Sequence, residues 1–136
     1  MAPGGYFVDI NDIDRDGDFD VIAASVVNSS VTWFRNDGAQ NFEHIAIDVE
    51  ARGVRAVAVR NLDRKSGRDI LSASVDDNTI AWYENDGEEN FTKRIIDDTV
   101  LGAYGVNAAD MDGDRLVDVL SAGRDDGTIT IHQQLP

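Results

Sequence analysis

The chain has 136 residues, enough for one domain with one core, and its 42% hydrophobic and 28% charged residues are those of a globular protein. It has no cysteine, which removes disulfides and thiolate metal sites, and no apolar run long enough to span a membrane. A net charge of −14, from 26 acidic and 12 basic residues, repels phosphate backbones and anionic lipid and so argues against nucleic-acid or membrane-surface binding.

The same charge destabilises a compact state unless cations neutralise part of it. The opening Met-Ala-Pro-Gly-Gly does not read as a signal peptide, so the chain is expected to be cytoplasmic or a mature piece of something exported.

A shift of 49 residues superimposes the sequence on itself without gaps. Gly4, Gly53 and Gly102 coincide, as do Val8, Val57 and Val106, then Asp14, Asp63 and Asp112, then Asp20, Asp69 and Asp118. Trp33-Phe34-Arg35-Asn36-Asp37-Gly38 falls on Trp82-Tyr83-Glu84-Asn85-Asp86-Gly87, Phe42 on Phe91 and Asp48 on Asp97.

Within the first copy, apolar and β-branched runs predict strand A over Tyr6–Ile10, B over Asp20–Ser25, C over Val31–Arg35 and D over Phe42–Ile47. Asn-Asp-Gly at 36–38 and 85–87 supplies the positive φ of a C–D hairpin, and Asp76-Asp77-Asn78 and Asp125-Asp126-Gly127 serve the B–C turn. No segment has the 3.6-residue period of a helix. Small residues in the later A strands (Ala56, Ala58, Gly105, Ala108, Ala109) suit an innermost strand.

Four antiparallel strands per repeat of this length make a β-propeller blade. The expected organisation is all-β: one propeller-type domain over 1–136, with blades at 4–52, 53–101 and 102–136, the last lacking its outer strand. A blade needs a neighbour on each face, and Trp33 and Trp82 are expected to fill the space between blades. Propellers typically have about four to eight blades, so three predict either a head-to-tail homodimer closing a six-bladed ring or an excerpt of a longer propeller; the homodimer is preferred.

Between strands A and B, the first repeat reads Asp12-Ile13-Asp14-Arg15-Asp16-Gly17-Asp18-Phe19-Asp20. Carboxylates at loop positions 1, 3, 5 and 9 converge as a hard cation such as Ca²⁺ requires, with the Asp18 carbonyl at position 7 and Gly17 permitting the turn. The third repeat offers Asp110, Asp112, Asp114, the Leu116 carbonyl and Asp118, with Arg115 in place of the glycine, at some cost in backbone strain. In the second repeat Asn61, Asp63 and Asp69 remain, but Lys65 takes the position-5 slot, and that loop is expected to need no ion or to bind metal at best weakly. An EF-hand is excluded, because position 12 is Ala23 or Ser121 rather than glutamate and the flanks are strands.

The segments Asp-Ile-Asp-Arg-Asp-Gly-Asp-Phe-Asp-Val-Ile-Ala-Ala-Ser and Ser-Val-Asp-Asp-Asn-Thr-Ile-Ala-Trp-Tyr-Glu-Asn-Asp-Gly resemble the FG-GAP/VCBS-type propeller blade of integrin α-subunits and many secreted bacterial proteins. The resemblance runs from Gly4 to about Gln134. It implies calcium on one rim, held here by Asp12, Asp14, Asp16, Asp18 and Asp20 and by Asp110, Asp112, Asp114, Leu116 and Asp118. It also implies an extracellular or cell-surface location, which sits with the lack of a signal peptide only if the chain is a trimmed piece of a longer protein. Adhesion, ligand binding or scaffolding is the implied role.

The expected function is therefore a non-catalytic, calcium-stabilised module recognising protein or glycan. The alternatives are a pure self-assembly module and a glycoside-active enzyme or a fragment of one. Neither histidine suggests catalysis: His44 aligns with Lys93 on strand D, His132 with Phe34 and Tyr83, and no Ser/His/Asp or Cys/His constellation is expected to exist. No aromatic cluster is expected beyond the core positions.

Overall fold

A computed structural model of the chain describes residues 4–65 and 67–134 and contains, among them, eleven strands and no helix. The first sheet runs in the order β1 (Gly5–Asn11), β2 (Asp20–Ser25), β3 (Ser30–Asn36), β4 (Phe42–Asp48). The second repeats it with β5 (Val54–Arg60), β6 (Asp69–Ser74), β7 (Thr79–Asn85) and β8 (Phe91–Asp97). The third holds β9 (Ala103–Ala109), β10 (Asp118–Gly123) and β11 (Ile129–His132), with no outer strand among the described residues. All pairings are antiparallel, and the observed strands extend the predicted ones by no more than a residue at either end.

The turns take the conformations their residues favour. Gly38 and Gly87 lie at φ 75° and 88° in the C–D hairpins, and the B–C turns close on left-handed Ser29, Asn78 and Gly127.

Burial follows position in the blade. β6, between two neighbouring blades, is buried along its whole length, and β2, a central strand, nearly so, whereas the outer strands β4 and β8 are mostly exposed. β5 packs against β1 and β2 on one side and β9 on the other, so strands A are the elements through which the sheets meet.

Two apolar cores result. Ile22, Val31 and Trp33 of the first blade pack on Val57, Val59, Ile70 and Tyr83 of the second. Leu71, Ile80 and Leu62 of the second pack on Ala103, Ala108 and Val119 of the third. Trp33 is completely buried, with the Phe91 ring edge-on at 6.1 Å. Trp82 is only half-buried, since no β-strand of the third sheet covers the place that β8 covers for Trp33.

A polar clasp crosses each of these interfaces in register. The Tyr83 hydroxyl donates to Asp48 at the end of β4 (2.7 Å) and lies 3.2 Å from Ser72 Oγ. Lys93 adds an ion pair to the same carboxylate at 2.7 Å. One repeat later, Ser121 Oγ lies 2.8 Å from His132 Nε2, and His132 Nδ1 lies 3.7 Å from Asp97.

Burial works to raise the Asp48 pKa, but the Lys93 ammonium and the Tyr83 and Glu50 hydrogen bonds outweigh it and hold the group below the ordinary aspartate value. A carboxylate depressed in the folded state adds stability that is present above its unfolded pKa and lost as pH falls through its folded one. Asp48→Asn should therefore cost about 1–2 kcal/mol at neutral pH, and its deficit against wild type should close as pH drops below roughly 4. Urea melts at pH 7 and pH 3 check this; a deficit independent of pH would contradict it.

Candidate metal centres in the loops between the first two strands of each blade

The three loops share a clasp of backbone hydrogen bonds to a buried carboxylate. Asp20, Asp69 and Asp118 open the second strand of each blade and are essentially inaccessible to solvent. One oxygen of each accepts a loop N–H: Ile13 at 3.0 Å, Leu62 at 2.8 Å and Met111 at 3.0 Å. The other accepts the N–H of Asn36 (2.8 Å) or Asn85 (2.9 Å) at the end of the third strand, or of Gln134 (3.1 Å) just past it. The expected position-9 ligands Asp20 and Asp118 are thus already committed to backbone donors, and coordination through a remaining lone pair would add to that role.

The other acids gather as the spacing predicts. Carboxylate oxygens of Asp12, Asp14 and Asp16 lie within 4.8 Å of one another, and so do those of Asp110, Asp112 and Asp114. Oxygens bound to Ca²⁺ at about 2.3–2.6 Å are separated by distances of this order.

The backbone curls around each group. Gly17 N–H donates to Asp12 at 3.2 Å and Asp18 N–H to Asp16 at 2.8 Å; Arg115 N–H donates to Asp110 at 2.9 Å and Leu116 N–H to Asp114 at 2.7 Å. The Asp18 side chain faces the C–D hairpin, close enough to Gly38 that a Cβ there would meet its carboxylate at 2.4 Å.

Two features favour a cation in the first loop. Asp12 Oδ1 is buried without a hydrogen-bond partner. Burial first, then the charges of Asp20, Asp16 and Glu89, push the Asp14 pKa above its ordinary value despite the Asp16 N–H bond. A group that is crowded by other carboxylates and stripped of water gains most from a nearby positive ion.

The first and third loops each place two residues in the left-handed region. In the first they are Arg15 (φ 65°) and Gly17 (φ 100°), in the third Gly113 (φ 83°) and Arg115 (φ 74°). The strain expected at Arg115 is present, but its counterpart Arg15 carries the same strain in the first loop, so glycine and arginine have exchanged places and neither loop is the more strained by count.

The second loop holds its own cation. Lys65 Nζ lies 2.9 Å from Asp63 and 2.6 Å from Glu84, and these partners, Glu84 foremost, hold its ammonium protonated above the ordinary lysine range. Glu84, which also pairs with Arg94, falls below the ordinary glutamate range through the Lys65 and Arg94 contacts. Ser66 of this loop is outside the described residues.

Lys65 and Glu84 align with Asp16 and Arg35, so the signs of the pair are reversed between blades. Arg35 pairs with Glu43 and, at 2.8 Å, with Glu89. The replacements Lys65→Asp and Glu84→Gln together, which reproduce the Asp114 and Gln133 pair of the third blade, should add one calcium to the chain's binding capacity in a calorimetric titration. No gain would mean that Lys65 is not what keeps an ion out.

Contrary to the expectation that none exists, Ser121, His132 and Asp97 form a Ser/His/Asp grouping. Its register with Ser72, Tyr83 and Asp48 identifies it as the inter-blade clasp, and Ser121 is 2% exposed. His44 is exposed on β4, its ring against Phe34 at 4.5 Å.

The absence of an aromatic cluster outside the core is also corrected: Tyr6, Arg55 and Tyr104 meet on the surface. Their common place in the 49-residue register was a signal that could have shown them.

Three antiparallel sheets stacked through their innermost strands are β-propeller-type blades, a class of binding or scaffold module. Residues 61–121, from the second aspartate loop through the third, match the FG-GAP-like repeat, and the chain carries an FG-GAP-type repeat. Repeats of this type are typically extracellular. No curated protein matches the chain.

Proposed function

We propose that this chain is a calcium-stabilised, non-catalytic propeller module of an extracellular protein that recognises protein or glycan ligands. One observation carries the reading. Three carboxylates converge in the first and third loops, and in the loop between them, where the position-5 acid is missing, a lysine ammonium supplies the positive charge.

Asp12, Asp14, Asp16 and Asp20 with the Asp18 carbonyl would hold one ion; Asp110, Asp112, Asp114 and Asp118 with the Leu116 carbonyl would hold the second. The ion supplies charge neutralisation and fixes the loops; two ions, at +2 each, take the net charge from −14 to −10. The test is a thermal melt in millimolar calcium and again in excess chelator: a transition that does not move overturns the reading.

The partner is a second copy of the chain, joined head to tail. One end of the stack exposes Val8, Ile10 and Phe42, and the other Met111, Ile129 and Ile131. Of their counterparts inside the stack, Val57, Val59, Leu62 and Ile80 are buried between blades and Phe91 and Trp82 partly so, so each end presents half of an interface that the chain already makes twice. Light scattering in millimolar calcium should give twice 14.8 kDa. A monomer contradicts the six-bladed ring and leaves the calcium reading standing.

A hydrolase built on Ser121 is the rival that geometry suggests. The burial of Ser121 and the tyrosine in the equivalent place of the preceding clasp favour a structural role. A fluorophosphonate probe should leave Ser121 unlabelled.

A further inference from the structure

Tyr6, Arg55 and Tyr104 occupy one position of the three repeats, and in each that position is the bulge of the innermost strand. Pairing skips from Gly5 to Phe7 in β1, from Val54 to Ala56 in β5 and from Ala103 to Gly105 in β9. A bulge frees its residue from the in–out alternation of the strand and re-aims the side chain.

Here the three side chains converge across the blades. The Arg55 guanidinium carbon lies 4.6 Å from the centroid of the Tyr6 ring. Tyr6 of the first blade reaches Tyr104 of the third, the rings edge to face with centroids 6.1 Å apart and the two hydroxyls hydrogen-bonded. Both tyrosines remain open to solvent, at 47% and 37%. The cluster sits where the innermost strands begin, whereas the aspartate loops follow their ends, so the two lie at opposite ends of these strands.

Arg55 is the unusual member. It forms no ion pair among the described residues, as several other arginines also do not, but it alone of them rests on an aromatic ring, and its Nε is buried without a hydrogen-bond partner. The neighbouring Arg124 is engaged by Asp125 at 2.6 Å. A guanidinium resting against an aromatic ring still presents N–H groups to an anion, and carboxylates and phosphates accept such groups in pairs. The exposed phenol rings beside it offer apolar faces and hydroxyls to a hydroxylated ring. The strongly acidic chain disfavours a multiply charged ligand, which favours a single carboxylate over a phosphate.

We propose that Tyr6, Arg55 and Tyr104 form a recognition site for a sugar acid, with the carboxylate on Arg55 and the sugar ring against the tyrosines. This rests on the reading of the chain as a recognition module and names the ligand class that reading leaves open.

The test is an NMR titration of the whole chain in millimolar calcium with glucuronate, and in parallel with glucose and with acetate. Saturable binding of glucuronate is expected, with Kd on the order of 1 mM. Glucose and acetate should each bind about tenfold more weakly, because each lacks half of the recognised chemistry. Arg55→Gln should weaken glucuronate about tenfold and Tyr104→Ala severalfold, while both variants keep the wild-type melting temperature in calcium, which shows that they fold.

No saturable binding of glucuronate, or equal binding by Arg55→Gln, overturns the site. Glucose binding as tightly as glucuronate removes the role of the carboxylate, and acetate doing so removes that of the ring; either overturns the proposal as stated. Because chelation tests the metal loops and this titration tests Arg55, failure of one is distinguishable from failure of the other.

Discussion

In excess chelator the melting temperature is expected to fall by about 10 °C from its value in millimolar calcium, and Asp14→Ala combined with Asp112→Ala to abolish the response. Extracellular calcium modules bind with Kd near 10⁻⁴ M, so at about 1 mM calcium each site contributes roughly 1.4 kcal/mol and two contribute roughly 3. Unfolding entropies of about 2 cal/mol/K per residue convert that sum into the stated shift for a chain of this size.

The two single variants should each remove about half. Asp14 sits among carboxylates that raise its pKa in the absence of an ion, so Asp14→Ala in chelator should cost little or even stabilise, and the loss should appear only when calcium is present. A variant equally destabilised with and without calcium would mark Asp14 as a packing residue and not a ligand.

Asp69→Ala should destabilise the protein by roughly 3–5 kcal/mol whether or not calcium is present. Its carboxylate, fully buried, accepts the N–H groups of Leu62 and Asn85 at 2.8 and 2.9 Å and ties the loop to the end of β7. Truncation leaves both donors buried without partners, each costing about 1–3 kcal/mol, and adds a small void in the middle of the stack.

Burial drives the Asp69 pKa up while the two N–H bonds oppose it. Asp69→Asn, which keeps one acceptor and removes the charge, should therefore recover about half of the loss. Guanidinium melts in calcium and in chelator give both numbers. If the cost of Asp69→Ala disappears in chelator, the clasp is a metal ligand after all, even in the loop that holds Lys65.

The repeat made the strands and the acidic clusters legible. Once Asp14, Asp63 and Asp112 were superimposed, every strand followed from turn chemistry, and the Lys65 substitution pointed to a loop that supplies its own cation, as its contact with Asp63 shows. What stayed hidden depended on contacts between blades or on backbone irregularity. From sequence Asp20 reads as a ligand only, because a carboxylate that straps two N–H groups and one that binds an ion have the same residue identity.

Asp97, Ser121 and His132 come from two blades, and their meeting becomes visible only when Asp48, Ser72 and Tyr83 are laid over them. Tyr6, Arg55 and Tyr104 were in register but lie on bulges, which break the alternation that sequence periodicity reports.

The central claim is that the two loops with complete acid sets are ion sites and the loop between them is not. The most direct measurement is the number of calcium ions bound per chain at saturation, by equilibrium dialysis of the wild-type protein. The account predicts two, with Asp14→Ala and Asp112→Ala each reducing the number by one; a chain that binds none would contradict it.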